Sequence, residues 1–335
     1  MDQLGGVSAT VEQEPPAADG PASAPRRRRR RWLSWTVVTL LALWAVVRVA
    51  GLEAGSFPTQ LMTVTPIGAV LAALTALLAL LRRNRPAALA AALVCAVMVS
   101  VVAPRAFGAE QPPAKGPALR VLSVNLFTRG DAQTVVDLVR RLDVEVFSAL
   151  ELSWAEVERL DAAGLKELMP YRVLQPDFGA TGSGIFSKHP VTELTGLFTP
   201  IGHNMPAATV TLPGGGKVEF VAVHPNPPLG RMEAEWNTAL RALPSPSPTT
   251  VRVLAGDFNA SLDHRAFRDL LGRGYVDAAD QVGKGLIPTW PNRGIKPFIT
   301  IDHVLADRRV AVRRVEIVDV PRTDHRGVFA ELQLP

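Results

Sequence analysis

With 335 residues, a formal net charge of +5 and 47% hydrophobic residues, the chain is long enough for one large or two ordinary domains and too apolar to be disordered throughout. Its single cysteine, Cys95, excludes a disulfide scaffold and a cysteine-based zinc site. The charge is unevenly spread: residues 119–335 hold 24 Lys plus Arg against 25 Asp plus Glu, about −1, without the basic excess of a nonspecific nucleic-acid binder.

Residues 1–25 are rich in Ala, Pro, Gly and acid and have no apolar period, so disorder is expected there. Next comes "RRRRRR", followed by "WLSWTVVTLLALWAVVRVAGL". Segment 1–31 therefore reads as a disordered cytoplasmic tail whose Arg run precedes a membrane span. Three apolar runs, at 32–52, 61–81 and 86–103, each have the length of a membrane helix, which makes 32–103 a three-helix membrane region. Arg48 lies near a helix end and Pro66 near a helix start, where both are tolerated. The first loop, "EAGSFPTQ", has no Lys or Arg, and the second, "RRNR", has three Arg. That alternation places the amino terminus inside and everything after residue 103 outside the cytoplasm. The first run is too long for a signal peptide and lacks a small-residue cleavage site. Residues 104–118, "PRAFGAEQPPAKGPA", read as a linker.

From residue 119 onward, strand-like apolar runs recur: "LRVLSVNLF", "VEVFSALEL", "SGIFSK", "AATVTLP", "KVEFVAVH", "VRVLAGDFN", "ITIDHVLA", "VRRVEIVDV" and "RGVFAELQL". "PGGG" joins two of them as a hairpin. Between others, helical spacing puts Val135, Val139 and Leu142 on one stripe. Ser153 with Glu156 has capping-box spacing. "LGRMEAEWNTALRAL" is amphipathic, and so is "LDHRAFRDLLGRG", which ends at Gly274. Many strands with interspersed helices predict an α+β fold.

Polar residues stand at the ends of these runs. Asn125 follows "VLSV", Glu151 follows "VFSAL" and His224 follows "VEFVAV". Asp257 and Asn259 flank Phe258 in "GDFN", with Gly256 read as a bend. Asp302 follows "ITI", and Asp324 and His325 precede "RGVFAEL". A buried polar group needs a partner, and six such clusters together need a site. Carboxylates and amide oxygens suit Mg²⁺ or Mn²⁺. Histidines can face a phosphate or a developing negative charge, and an Asp beside a His keeps the imidazole charged. Another Asp can take a proton from water. The set suits metal-assisted attack of water on a phosphate ester.

The motifs "VNLF", "ALEL", "SGIFSKHPV", "VAVHPNPP", "LAGDFNAS", "TIDHVLAD" and "TDHRGVFAEL" resemble, in order, those of the endonuclease/exonuclease/phosphatase superfamily, the DNase I-like proteins. The resemblance spans 119–335 and implies a four-layer αββα sandwich and an Mg²⁺- or Mn²⁺-dependent phosphoesterase. It assigns the metal to Glu151, Asn125 and Asp324. Asp257 would activate water, Asp302 pair with His325, His325 and His224 face the phosphate, and Asn259 and Asn125 hold substrate. Thr323 and Gly327 stand where the family often has Ser and Pro. His189 and His264 match no catalytic position and read as surface residues. The expected partners are a phosphate-ester substrate and the lipid bilayer, with no obligate protein partner. The alternatives are an extracellular nuclease on DNA or RNA and a non-catalytic binding module of the same fold.

Overall fold

The computed structural model describes residues 25–335, with side chains from Trp32 onward. The disorder expected for residues 1–24 lies outside the described residues. The Arg run, by contrast, belongs to a helix: α1 spans Pro25–Ala50, with Pro at its start and good helix formers after it.

Three more helices follow: α2 (Ser56–Thr63), α3 (Thr65–Leu81) and α4 (Arg85–Val102). Trp32–Ala50 and Arg85–Ala106 are each long and apolar enough to cross a membrane. The apolar run at 61–81 is not one straight helix. It breaks at Val64, and α2 and α3 meet at 75°. Pro66 in the first turn of α3 lacks an N–H to continue α2. Leu40, Leu43, Leu74, Leu77, Leu89 and Leu93 are exposed on the helix surfaces, as expected of faces that meet hydrocarbon rather than water.

The rest of the chain builds two six-stranded sheets. The strands are β1 (Ala118–Asn125), β2 (Val146–Leu150), β3 (Tyr171–Gln175), β4 (Ser183–Ser187), β5 (Val191–Glu193) and β6 (Ala207–Thr211), then β7 (Lys217–Val223), β8 (Val251–Asp257), β9 (Tyr275–Asp277), β10 (Asp302–Asp307), β11 (Ala311–Asp319) and β12 (Arg326–Gln333). One sheet has the order β11-β12-β1-β2-β4-β3 and the other β5-β6-β7-β8-β10-β9. Each contains one parallel pair, β1 with β2 and β7 with β8.

Strand alternation separates three apolar layers. Val121, Val146, Phe220, Val253 and Val304 fill the space between the sheets. Phe147 and Phe329 face outward onto α5 (Ala132–Arg141) and α6 (Trp154–Ala162) through Val135, Val139 and Leu160. Leu254 and Phe258 face outward onto α8 (Met232–Ala242) and α9 (Arg265–Gly272) through Trp236, Phe267 and Leu270. Short helices α7 (Leu165–Leu168) and α10 (Ala278–Gln281) complete the set. This is the α+β, four-layer DNase I-like arrangement. Asp131 caps α5 by accepting from Thr134 N at 3.0 Å, and Ser153 caps α6 by accepting from Glu156 N at 3.2 Å.

The connection from α4 to β1 lies along this domain. Ala109 N donates to Gln281 O at 3.0 Å, and Val312 N donates to Gln111 Oε1 at 2.8 Å. Arg48 near the end of α1 and Arg105 just beyond α4 both reach one buried carboxylate, Asp263, at 2.5 and 2.6 Å. Both helices therefore end at the same face of the domain.

Candidate active site

The strand period brings the polar residues together. In β8, Val253 and Ala255 point between the sheets, and Asp257 is next in that alternation. The same count places Asn125 after Leu119 and Val121, His224 after Phe220 and Ala222, and Asp302 before Val304 and Ala306. These four side chains therefore converge at one end of the inter-sheet space. Phe258 points the other way, into the helix-side core.

Gly256 is not a bend but an interior residue of β8. A Cβ there would lie 1.8 Å from Val223 O, so only glycine lets β8 come this close to β7. Glu151 and Asn259 fall just beyond their strands with φ of 51° and 49°. That left-handed backbone is uncommon for such residues and turns both side chains off the strand alternation.

Asp302 grips His325: Nδ1 lies 3.1 and 3.0 Å from the two carboxylate oxygens. His325 Nε2 is 3.6 Å from Asp257 Oδ2 and 3.8 Å from Asp324 Oδ1. Burial works against a charged imidazole, but Asp302 and Asp257 outweigh it and push His325 up to about 10. Burial raises Asp257 to about 7, although His325 nearby works the other way. Asp257 Oδ1 accepts from Asn259 N at 2.8 Å, and its Oδ2 accepts from Asn125 Nδ2 at 3.2 Å. Asn259 Nδ2 donates to Pro225 O at 3.1 Å.

Asn125 also donates to Glu151 Oε1 at 3.1 Å. Glu151 is raised, first by burial and then by its acidic neighbours Asp324 and Asp302. Asp324 Oδ1 is shut off from water and accepts no hydrogen bond, with His325 Nε2 3.8 Å away; a carboxylate oxygen without a hydrogen bond has room for a further cation. Glu151 and Asp324 offer hard carboxylate oxygens of the kind Mg²⁺ or Mn²⁺ takes; Asn125 turns its Nδ2 to Glu151, and its Oδ1 accepts from Phe127 N at 3.0 Å. Asp257, Asp302 and His325 also offer ligand atoms within 4.8 Å of one another. With Nδ1 taken up by Asp302, the His325 ring presents Nε2 toward Asp257 and Asp324.

Two contributors were not singled out from the sequence. Thr323 Oγ1 donates to Asn125 O at 2.7 Å and accepts from His325 N at 3.1 Å, so it keeps the hydroxyl role of the Ser it replaces. His203 Nδ1 lies 3.2 Å from His224 Nδ1. Burial lowers His203, and burial with the charges of His203 and His325 lowers His224 well below the usual range. "PIGHNMP" around His203 has no periodic signal that could have found it.

His264 is not a surface residue. It is fully buried between Ser261 N, 2.8 Å from its Nδ1, and Thr59 O of α2, 2.9 Å from its Nε2. Nor is His189 on the surface: it is half-buried, 3.0 Å from Glu145 Oε1.

Asp257, Glu151, Asn259, His224, Asp324 and His325 line a cavity of about 610 Å³. A second cavity of about 520 Å³ lies beside it, lined by Arg129, Arg159, Arg293 and Arg322 with Thr323. Lys188 is elsewhere, paired with Asp143 at 2.8 Å.

The sequence model of the endonuclease/exonuclease/phosphatase family matches residues 122–325. The chain belongs to this family. Among solved structures, a humanized Danio rerio TDP2 shares 18% identity over 64% of this chain and 98% of its own, with a TM-score of 0.53. A family member from Bacteroides vulgatus shares 14% identity over 65% of this chain and 100% of its own, with a TM-score of 0.51. Another, from Bacteroides thetaiotaomicron, shares 17% over 66% of this chain and 99% of its own, with a TM-score of 0.50. At such identities these neighbours show the endonuclease/exonuclease/phosphatase fold alone. No curated protein matches the chain.

Proposed function

We propose that this family member is a membrane-anchored, metal-dependent phosphoric ester hydrolase whose catalytic domain lies outside the cytoplasm. The observation that carries the reading is the chain Asp302–His325–Asp257 beside an Asp324 carboxylate oxygen that accepts no hydrogen bond. A bound Mg²⁺ or Mn²⁺, held by Glu151, Asp324 and Asn125, would supply charge against the phosphate oxygens.

The protein's own groups do the rest. Asp257, raised by burial, accepts a proton from the attacking water. The water oxygen bonds to phosphorus as the ester P–O bond breaks, and the leaving oxygen departs as an alkoxide that takes up a proton from solvent, while Asp257 returns its own to solvent. His325, held charged by Asp302, faces the phosphate as a fixed cation and can donate to a phosphoryl oxygen. His224 is neutral and gives a hydrogen bond without adding charge. Asn259, turned off its strand, presents its amide to the substrate. The topology rests on the Lys/Arg-free first loop and the three Arg of the second.

The test is hydrolysis of bis(p-nitrophenyl) phosphate and p-nitrophenyl phosphate by the full-length protein in detergent, with Mg²⁺ or Mn²⁺. Turnover should stop with EDTA and in Asp257→Ala; turnover indifferent to both would refute the assignment. A nuclease is a second reading, favoured by the four guanidiniums of the neighbouring cavity. DNA cleavage that falls steeply with salt would support it.

A further inference from the structure

We infer that the ester this protein hydrolyses carries a long hydrocarbon chain and reaches the site from the bilayer; the inference rests on the hydrolase reading above. The catalytic cavity is not built by the catalytic domain alone. Gln60 and Thr63 of α2, within the membrane region, form part of its wall. Helix α2 is fastened to the domain along its length. Ser56 Oγ donates to Pro228 O at 3.0 Å and accepts from Gly230 N at 2.9 Å. His264 Nε2 meets Thr59 O at 2.9 Å. Two residues after Thr63 the chain enters α3, whose Ile67, Val70 and Leu71 are exposed. The cavity therefore lies beside the point where the chain turns into an apolar helix.

Its walls match that position. Phe127, Pro227, Leu229, Trp290 and Phe298 line the cavity together with the charged centre. Leu229 and Phe298 are about half exposed, at 48% and 47%. Water-facing apolar walls around a phosphate site have no function for a small soluble ester, but they would shed water around a hydrocarbon chain. The other flank is different. The arginine-lined cavity adjoins where its Arg293 lies 6.0 Å over the ring of Phe127 and its Thr323 precedes Asp324, and no residue of α1–α4 lines it. The scissile position thus has an apolar flank at the anchor and a cationic flank away from it. That asymmetry fits an amphiphile whose chain stays toward the bilayer and whose anionic end points away. A nucleic acid would want cations along both flanks.

The experiment uses matched esters and the full-length protein in nanodiscs with Mn²⁺. Methyl and hexadecyl p-nitrophenyl phosphate form the diester pair; methyl and hexadecyl phosphate, read by phosphate release, form the monoester pair. The expected result is a kcat/KM at least tenfold higher for the hexadecyl member of one pair. Its rate should fall when dodecyl maltoside dilutes the ester in mixed micelles at constant bulk concentration. Leu229→Asp and Phe298→Asp, both exposed and so compatible with folding, should bring the hexadecyl-to-methyl ratio toward one. Equal kcat/KM within both pairs, with turnover still lost in Asp257→Ala, would overturn the inference and leave the hydrolase standing. Single-stranded DNA cleaved faster than every ester would overturn it in favour of the nuclease. No metal-dependent turnover of any substrate would sink the hydrolase reading itself.

Discussion

Asp302→Asn is the sharpest perturbation of the proposed mechanism. It keeps the shape and an oxygen that can accept from His325 Nδ1, but removes the charge that holds the ring as an imidazolium. The rise of His325 from 6.5 to about 10 corresponds to about 5 kcal/mol favouring the charged ring. Asp302 is the largest of the three carboxylate causes, ahead of Asp257 and Asp324, and burial opposes them. Without Asp302, burial gains ground and the ring titrates lower. In the native protein, activity should rise as Asp257 loses its proton near 7 and fall as His325 loses its own near 10. A bound divalent cation draws the acid limb lower. In the variant the alkaline limb should move to lower pH, and kcat at pH 9 should fall relative to kcat at pH 7. The assay is a pH–rate profile of p-nitrophenyl ester hydrolysis for both proteins. An alkaline limb that stays at 10 in Asp302→Asn would refute the reasoning.

Three further outcomes follow from the same geometry. Glu151→Gln and Asp324→Asn should each raise the Mg²⁺ or Mn²⁺ concentration needed for half-activation by about tenfold or more, read by metal titration. Asp263→Asn leaves Arg48 and Arg105 buried without their counter-charge, so thermal unfolding in detergent should show a loss of about 3–5 kcal/mol. Burial holds His264 at about 4 in the folded protein against 6.5 for the free side chain. Its neutral form therefore stabilises the protein fully above pH 6.5, and this contribution is lost as pH falls toward 4. The total is about 3 kcal/mol, and the slope of denaturant stability between pH 6.5 and 4 should flatten in His264→Gln.

Most of the candidate site is legible in the sequence because it obeys strand arithmetic. Asn125, His224, Asp257 and Asp302 each end or begin an apolar run on the face between the sheets, so periodicity and polarity coincide. Glu151 and Asn259 were found by motif, although a positive φ takes them off that alternation. The strands that escaped notice, β3, β5 and β9, all lie at sheet edges. An edge strand is covered on one side only and needs no continuous apolar run. Helix α2 was hidden for another reason. "SFPTQ" is short and polar, its last residues merge into the apolar run of α3, and its partners lie about 170 to 205 residues away. His264 was misread because its partner Thr59 belongs to that same unseen helix.

The double ion pair on Asp263 means that the catalytic domain does not swing on a tether. One carboxylate grips the chain just before it leaves α1 and again just after it leaves α4, so the domain has no free rotation over these helices. The cavity mouth keeps a constant heading. A fragment that begins after α4 would keep Arg105 yet lose Arg48, the cover over His264 and two residues of the cavity wall. Such a fragment would have a differently shaped cavity, and what it binds would not stand for what the intact chain binds.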